Sequence, residues 1–211
     1  YSKEKIIVAQ NTIDVEKIIK NKSTIKIERN YELVRFLFVG ALIKQKKLDK
    51  AITACKILSD KGYNFNFDIV GGGIIREDLE LLINRYNLEE KVFIHGPKYG
   101  NEVIPFFERA NVFLLPGTGG LAINEAMAHS LPIISTPGDG TVYDLVNIGI
   151  NGFILEYNYS LEKLTSTMEY FIRSTPAKLK NMGNSSLMII KEKGTMENMV
   201  DQFVKGIELF G

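Results

Sequence analysis

Residues 111–136 read "NVFLLPGTGGLAINEAMAHSLPIIST". An apolar run, "NVFLLP", stops at Pro116, and four small or turn-forming residues follow: Gly117, Thr118, Gly119 and Gly120. A helical stretch comes next, and a second short apolar run, "PIIST", closes the segment. Strand, turn, helix and strand in that order describe a βαβ unit. A helix start exposes unpaired N–H groups and the positive end of the helix dipole, which suit phosphate. Glycines let a ligand come close to the backbone. Glu125 falls about one turn into the helix. A carboxylate there can accept hydrogen bonds from paired hydroxyls such as a ribose diol. Phosphate on the turn and ribose on the acid together describe a nucleoside diphosphate. A plain strand-to-helix turn with a solvated glutamate fits the same residues, because glycine-rich turns are common.

The same alternation extends in both directions. Short apolar, β-branched or aromatic runs stand at residues 35–40 ("RFLFVG"), 65–71 ("FNFDIVG"), 91–96 ("KVFIHG") and 152–157 ("GFILEY"). Several are apolar on both parities, as strands buried on both faces are. Between them lie helical periods. Leu48, Ile52, Cys55 and Leu58 share one face, and Leu79, Leu82, Ile83 and Tyr86 share another. The pattern predicts an α/β fold with a doubly wound parallel sheet. Runs ending at Gly40, Gly71, Gly96 and Pro116 put the turns at the carboxyl ends of strands, where such sheets bind ligands.

The two ends differ from the middle. Residues 1–34 hold one strand-like run, "KIIVAQ", and then a charged stretch rich in Lys, Asn and Glu, read as a linker or mobile loop. Beyond Tyr157 the pattern is helical in three stretches: "SLEKLTSTMEYFIRS", "PAKLKNMGNSSLMIIKEK" and "TMENMVDQFVKGIELF".

Composition narrows the function. With 211 residues the chain suits one well-packed domain with appendages. A net charge of +1 makes no electrostatic case for nucleic acid. Cys55 is the lone cysteine, which excludes an intrachain disulfide, and the two histidines are too few for a histidine-built metal cluster. No apolar run reaches the roughly 20 residues of a membrane helix. The opening "YSKEKIIVAQ" has neither a signal-peptide pattern nor an initiator methionine, so a piece of a longer or processed protein is expected.

Other stretches carry weaker signals. In "FVGALIKQKKLDKAI", Lys44, Lys46, Lys47 and Lys50 follow the strand that ends at Gly40. One of them can neutralise a phosphate as a point charge, and the rest face solvent. "VGGGIIREDLELL" puts Gly71, Gly72 and Gly73 before a helix, but it is not the G-x-G-x-x-G fingerprint. A tight turn explains it as well as direct ligand contact does. Gly138 and Gly140 follow a further strand, and Asp144 lies early in a helix. No Asp-x-Asp pair stands where a metal–diphosphate bridge needs one, and the carboxylates do not cluster as Mg²⁺ ligands do. His129 reads as a packing or surface histidine, and Cys55 as a small core residue.

Taken in order, these pieces resemble the carboxy-terminal, donor-binding domain of a GT-B glycosyltransferase of the family 4 type. The resemblance rests on "FLFVGALIKQKKLDKAI", "FDIVGGGIIREDLELL", "KVFIHG", "ANVFLLPG", "GGLAINEAMAHSLPII" and "GINGFIL", and the early "VAQNTID" resembles the lead-in to that domain. It implies a single Rossmann-like domain of the GT-B type. Residues 1–34 would be its lead-in strand and linker, 35–157 its nucleotide-sugar-binding core, and 158–211 extra C-terminal helices on the same domain. The amino-terminal acceptor domain would be absent, and the chain alone an inactive fragment of a hexosyltransferase-like enzyme.

The resemblance also implies roles by position. Lys46 matches the lysine on the donor diphosphate. Gly119, Gly120 and Leu121 match the turn around phosphate and sugar. Glu125 matches the second glutamate of E-x7-E, on the ribose. The loop near Pro97 to Tyr99 matches the base-binding region, and Gly40 the donor-side strand end. Three positions depart from the pattern. Gly117 stands where the first glutamate is usual, Ala41 where an arginine is usual, and Ser130 where glycine is usual. Catalytic residues are expected on the other domain, which leaves retention or inversion open. The implied partners are a nucleotide diphosphate sugar and, through the other domain, a saccharide or lipid-linked saccharide acceptor. No metal or other cofactor, nucleic acid or membrane span is implied. The implied location is cytoplasmic, with peripheral membrane attachment of the whole enzyme left open. A nucleotide-sugar epimerase on the same architecture and a non-catalytic binding module are the alternatives.

Overall fold

A computed structural model describes residues 11–23, 27–138 and 140–210. The strand-like run at residues 5–10 lies outside them. The order is α1 (Val15–Ser23), β1 (Val34–Val39), α2 (Leu48–Asp60), β2 (Phe65–Val70), α3 (Arg76–Arg85), β3 (Val92–Ile94), α4 (Ile104–Arg109), β4 (Val112–Leu115), α5 (Ala122–Ala128), β5 (Ile133–Ser135), α6 (Val142–Leu145), β6 (Gly152–Ile154), α7 (Leu161–Ile172), α8 (Pro176–Lys193) and α9 (Met196–Phe210). All strand pairs are parallel, in the order β3-β2-β1-β4-β5-β6. This is the doubly wound α/β sheet expected from the alternation of runs.

The strand order follows from burial and handedness. Every residue of β2 and β4 is buried, so both sheet faces need helical cover. Right-handed crossovers that leave β1 toward β2 and β4 toward β5 place α2 and α5 on opposite faces. α2 packs against α3 and α7, and α5 against α1 and α8. Phe36 and Phe65 meet edge to face across the β1–β2 pair, with ring centroids 6.3 Å apart. Cys55 is fully buried in the core. The chain reverses winding direction between β1 and β4, and a doubly wound sheet opens its ligand crevice at such a switch point.

One expectation at the amino-terminal end needs correction. The charged stretch read as a linker or mobile loop contains helix α1, which buries Val15 and packs Ile18 and Ile19 against the core. Arg29 then clasps the ends of two helices. Its guanidinium donates to the carbonyls of Phe107 (3.1 Å), Glu108 (3.2 Å), His129 (2.9 Å) and Ser130 (3.0 Å). These carbonyls close α4 and α5, whose dipoles favour a cation there. The C-terminal helices also differ among themselves. α7 and α8 lie on the domain, but α9 leaves Val200, Phe203 and Ile207 exposed.

Candidate functional site at the carboxyl ends of β1 and β4

The loops after β1 and β4 meet at the switch point. After β1 the chain forms a 3-10 turn, Lys44–Lys46, and Lys47 adopts a left-handed φ of 52° before α2 begins. After β4 comes the turn at residues 116–120. Gly117 is buried, and the two loops touch backbone to backbone there. A Cβ at 117 would stand 2.0 Å from the Gln45 carbonyl oxygen and 2.6 Å from the Lys46 Cα. The Thr118 N–H donates to the same Gln45 oxygen at 3.0 Å. Gly117 is therefore the residue that lets the lysine loop close on the turn.

Lys46 and Gly119 are brought together directly. Lys46 Nζ donates to the carbonyls of Thr118 (2.7 Å) and Gly119 (3.1 Å). Partial burial pulls its pKa below the ordinary lysine value. Lys44 is exposed, as expected of the neighbouring lysines. Lys47 and Lys50 instead lie over the ring of Tyr159, at 5.2 and 4.9 Å from its centroid.

Helix α5 opens without a side-chain cap, at Leu121, which is 40% exposed. The N–H groups of Gly119, Gly120 and Leu121 find no acceptor among the described residues. Open N–H donors at a helix start suit an anion, and Gly120 is exposed beside them. In a trans peptide the N–H points away from its carbonyl. With the carbonyls of Thr118 and Gly119 drawn toward Lys46, the N–H groups of Gly119 and Gly120 face the other way. A ligand gripped by both the lysine and these N–H groups would draw Nζ off the two carbonyls.

Glu125 sits in the first turn of α5, half-buried. Burial raises the pKa of its carboxyl group, and no partner among the described residues lowers it. No hydrogen bond joins it to Lys46. An unpaired, partly desolvated acid beside an open helix start marks a candidate binding group.

Gly40 and Pro97 lie apart from the turn at residues 116–120. Together with Ala41, Gly71, Gly72 and Tyr99 they wall a cavity of about 320 Å³ between the ends of β1 and β2 and the loop after β3. Gly71 and Gly73 of "VGGG" are required by packing, whereas Gly72 only lines the cavity. A Cβ at Gly71 would stand 1.8 Å from the Gly40 carbonyl oxygen. Among the described residues, no three His, Cys, Asp or Glu side chains gather as metal ligands.

His129 is fully buried. Its Nδ1 meets Glu108 at 2.6 Å and its ring stacks on Phe107, so it packs the interior. Ser130 holds a left-handed φ of 57°, a conformation glycine adopts without strain, which fits the glycine that the resemblance implied there. Two residues that sequence reasoning passed over also touch the turn. The Tyr159 hydroxyl donates to the Pro116 carbonyl at 2.6 Å, and Thr136 Oγ1 to the Gly117 carbonyl at 2.5 Å. No local pattern marks either of them. Thr136 closes an ordinary strand, and Tyr159 follows one at a distance.

Comparison with known proteins agrees with this architecture. The family model described as "Glycosyl transferases group 1" matches residues 18–186. WcaL of Escherichia coli K12, a glycosyltransferase assigned to colanic acid biosynthesis, is 31% identical over 165 residues, covering 74% of this chain and 39% of WcaL. The amylovoran biosynthesis glycosyltransferase AmsK of Erwinia amylovora is 30% identical over 161 residues, covering 72% of this chain and 38% of AmsK. The crystal structure of Anabaena HepE in complex with UDP superposes with a TM-score of 0.75 at 18% identity, covering 96% of this chain and 57% of that one. The chain thus spans about two fifths of the length of these two relatives. Among the described residues, no helix is long and apolar enough to cross a membrane. With a GT-B type sheet and a family match over most of its length, this chain belongs to the group 1 glycosyl transferases.

Proposed function

We propose that this chain is the donor-binding part of a glycosyltransferase, and that it holds a nucleoside diphosphate sugar for transfer of its glycosyl group to an acceptor hydroxyl. The observation that carries the reading is Lys46 Nζ lodged against the turn at residues 118–119, beside N–H groups that have no acceptor among the described residues. The diphosphate binds the N–H groups of Gly119, Gly120 and Leu121, and Lys46 exchanges its two carbonyls for phosphate oxygens. Glu125 accepts from the ribose hydroxyls. The cavity walled by Gly40 and Pro97 takes the base. In the transfer step negative charge grows on the departing diphosphate, and a fixed ammonium and oriented N–H groups stabilise it. HepE is described in complex with UDP, which makes UDP the first probe. Relatives named for colanic acid and amylovoran biosynthesis favour a growing polysaccharide as acceptor.

Lys46→Ala is expected to cut affinity for a nucleoside diphosphate about tenfold or more, and to leave the bare nucleoside little changed, because the charge acts on phosphate. Isothermal calorimetry with UDP, GDP and ADP against their nucleosides tests this. Equal losses for both ligand types would remove Lys46 from the phosphate site. Lys44→Ala is the control for general electrostatics.

In this reading the acceptor binds a second domain, beyond the single sheet described. The 211 residues are therefore expected to bind nucleotide and transfer no sugar, since positioning of both reactants supplies much of the rate. Sustained transfer by this chain to simple saccharide acceptors would contradict the division of labour.

A further inference from the structure

The turn at residues 116–119 presents four successive carbonyls, and each accepts from a side chain outside the turn. Pro116 accepts from Tyr159, Gly117 from Thr136, and Thr118 and Gly119 from Lys46. The peptide plane between Gly117 and Thr118 is held at both ends, because its N–H donates to the Gln45 carbonyl. The four bonds are not equivalent. If Lys46 moves to a phosphate, its two bonds are given up when the ligand arrives. Those of Tyr159 and Thr136 remain.

We propose that Tyr159 and Thr136 are positioning residues. They fix the first half of the turn, so that the N–H groups of Gly119 and Gly120 keep their direction while Lys46 passes from the turn to the ligand. The proposal rests on the donor-binding reading above. Both residues are suited to the task. Each is 4% exposed, so water does not compete for its hydroxyl. Burial raises the Tyr159 pKa, which keeps the phenol protonated and a donor. The Tyr159 ring is held beneath Lys47 and Lys50, and Lys47 Nζ also donates to the Tyr157 carbonyl at 3.1 Å. The start of α2, the segment after β6 and the turn after β4 are thereby joined. A free turn would have to be ordered when the ligand binds, and pre-ordering removes that cost.

The test uses Tyr159→Phe and Thr136→Val, which remove each hydroxyl at nearly constant shape, with Thr136→Ser as the conservative rescue. Calorimetry measures UDP, GDP and ADP and their nucleosides on the parent and on each variant. For the diphosphate that binds the parent best, Tyr159→Phe and Thr136→Val are each expected to lose about fivefold to tenfold in affinity. The matching nucleoside should change by less than about twofold, and Thr136→Ser should bind as the parent does. Amide spectra of the folded variants should show the Gly119 and Gly120 resonances displaced. Suppose the parent binds a diphosphate and both variants keep its diphosphate-to-nucleoside ratio with those resonances unmoved. The two hydroxyls would then be structural only, and the proposal fails alone. A parent that binds no diphosphate overturns the donor-binding reading and this proposal with it.

Discussion

Gly117→Glu is expected to damage this protein, although it restores the acid usual at that position in the family the sequence resembles. Gly117 is buried with the Gln45 carbonyl and the Lys46 backbone against it. The clash begins at Cβ, 2.0 Å from a carbonyl oxygen, so no side-chain rotamer relieves it. Either the lysine loop or the turn must move. Both move against the hydrogen bond from Thr118 N–H to Gln45. Overpacking of this kind costs about 1–3 kcal/mol, and displaced backbone puts this case at the upper end. In a chain of this size about 3 kcal/mol lowers Tm by roughly 6–12 °C. Displacing the loop also carries Lys46 away, and diphosphate affinity should fall about tenfold or more. Gly117→Ala should show most of the same effect, because the Cβ suffices. Thermal denaturation and calorimetry on both variants measure it. A Gly117→Glu protein that melts with the parent and binds a nucleotide sugar more tightly would show that the two loops do not need their close contact.

The second large effect has opposite signs on binding and stability. Glu125→Gln should weaken nucleotide binding by about 1.5–3 kcal/mol, the range for hydrogen bonds to a charged group, or about 10- to 150-fold. It should also raise the melting temperature at pH 7. Burial raises the Glu125 carboxyl pKa in the folded protein above its unfolded value. The folded state then holds the proton more tightly than the unfolded one. The group's contribution to stability is full below the unfolded pKa and is lost as pH rises through the folded value. At neutral pH the charged carboxylate is a net cost, which glutamine does not carry. The gain in Tm should shrink as pH falls and vanish below about pH 4, where both states are protonated. A ligand-binding acid kept at the expense of stability behaves in this way. If Glu125→Gln matches the parent in both affinity and Tm at pH 7, Glu125 is an ordinary surface acid.

Local periodicity carried most of the architecture. The runs "RFLFVG", "FNFDIVG" and "NVFLLP" announced β1, β2 and β4: β4 is apolar on both parities, as a strand buried on both faces is, while β2 alternates and its buried Asp68 is paired with Arg35 and His95. The one-sided apolar spacing of Leu48, Ile52, Cys55 and Leu58 announced α2 in the same way, and all four are fully buried. Glycine and proline at the strand ends marked the end of the sheet where Lys46 meets Gly119 and where α5 opens with Glu125 in its first turn. These features arise between residues a few positions apart, so a window of sequence contains both cause and consequence.

Other features had no such window. The stretch before β1 is rich in charge and reads as a linker, yet Arg29 closes the ends of α4 and α5 about 80 and 100 residues further on. Gly117 reads as a lost acid until the Gln45 carbonyl is found where its Cβ would be. Thr136 and Tyr159 are unremarked residues until their hydroxyls are seen on the carbonyls of the turn. Hydrophobic period and turn chemistry determined, from the sequence, the strands, most of the helices and the end of the sheet at which the turns collect. Only the folded chain decides which backbone atoms of distant loops come within hydrogen-bond or clash distance. Those contacts join residues with no sequence spacing in common, and they form only when the parallel sheet has set β1 beside β4.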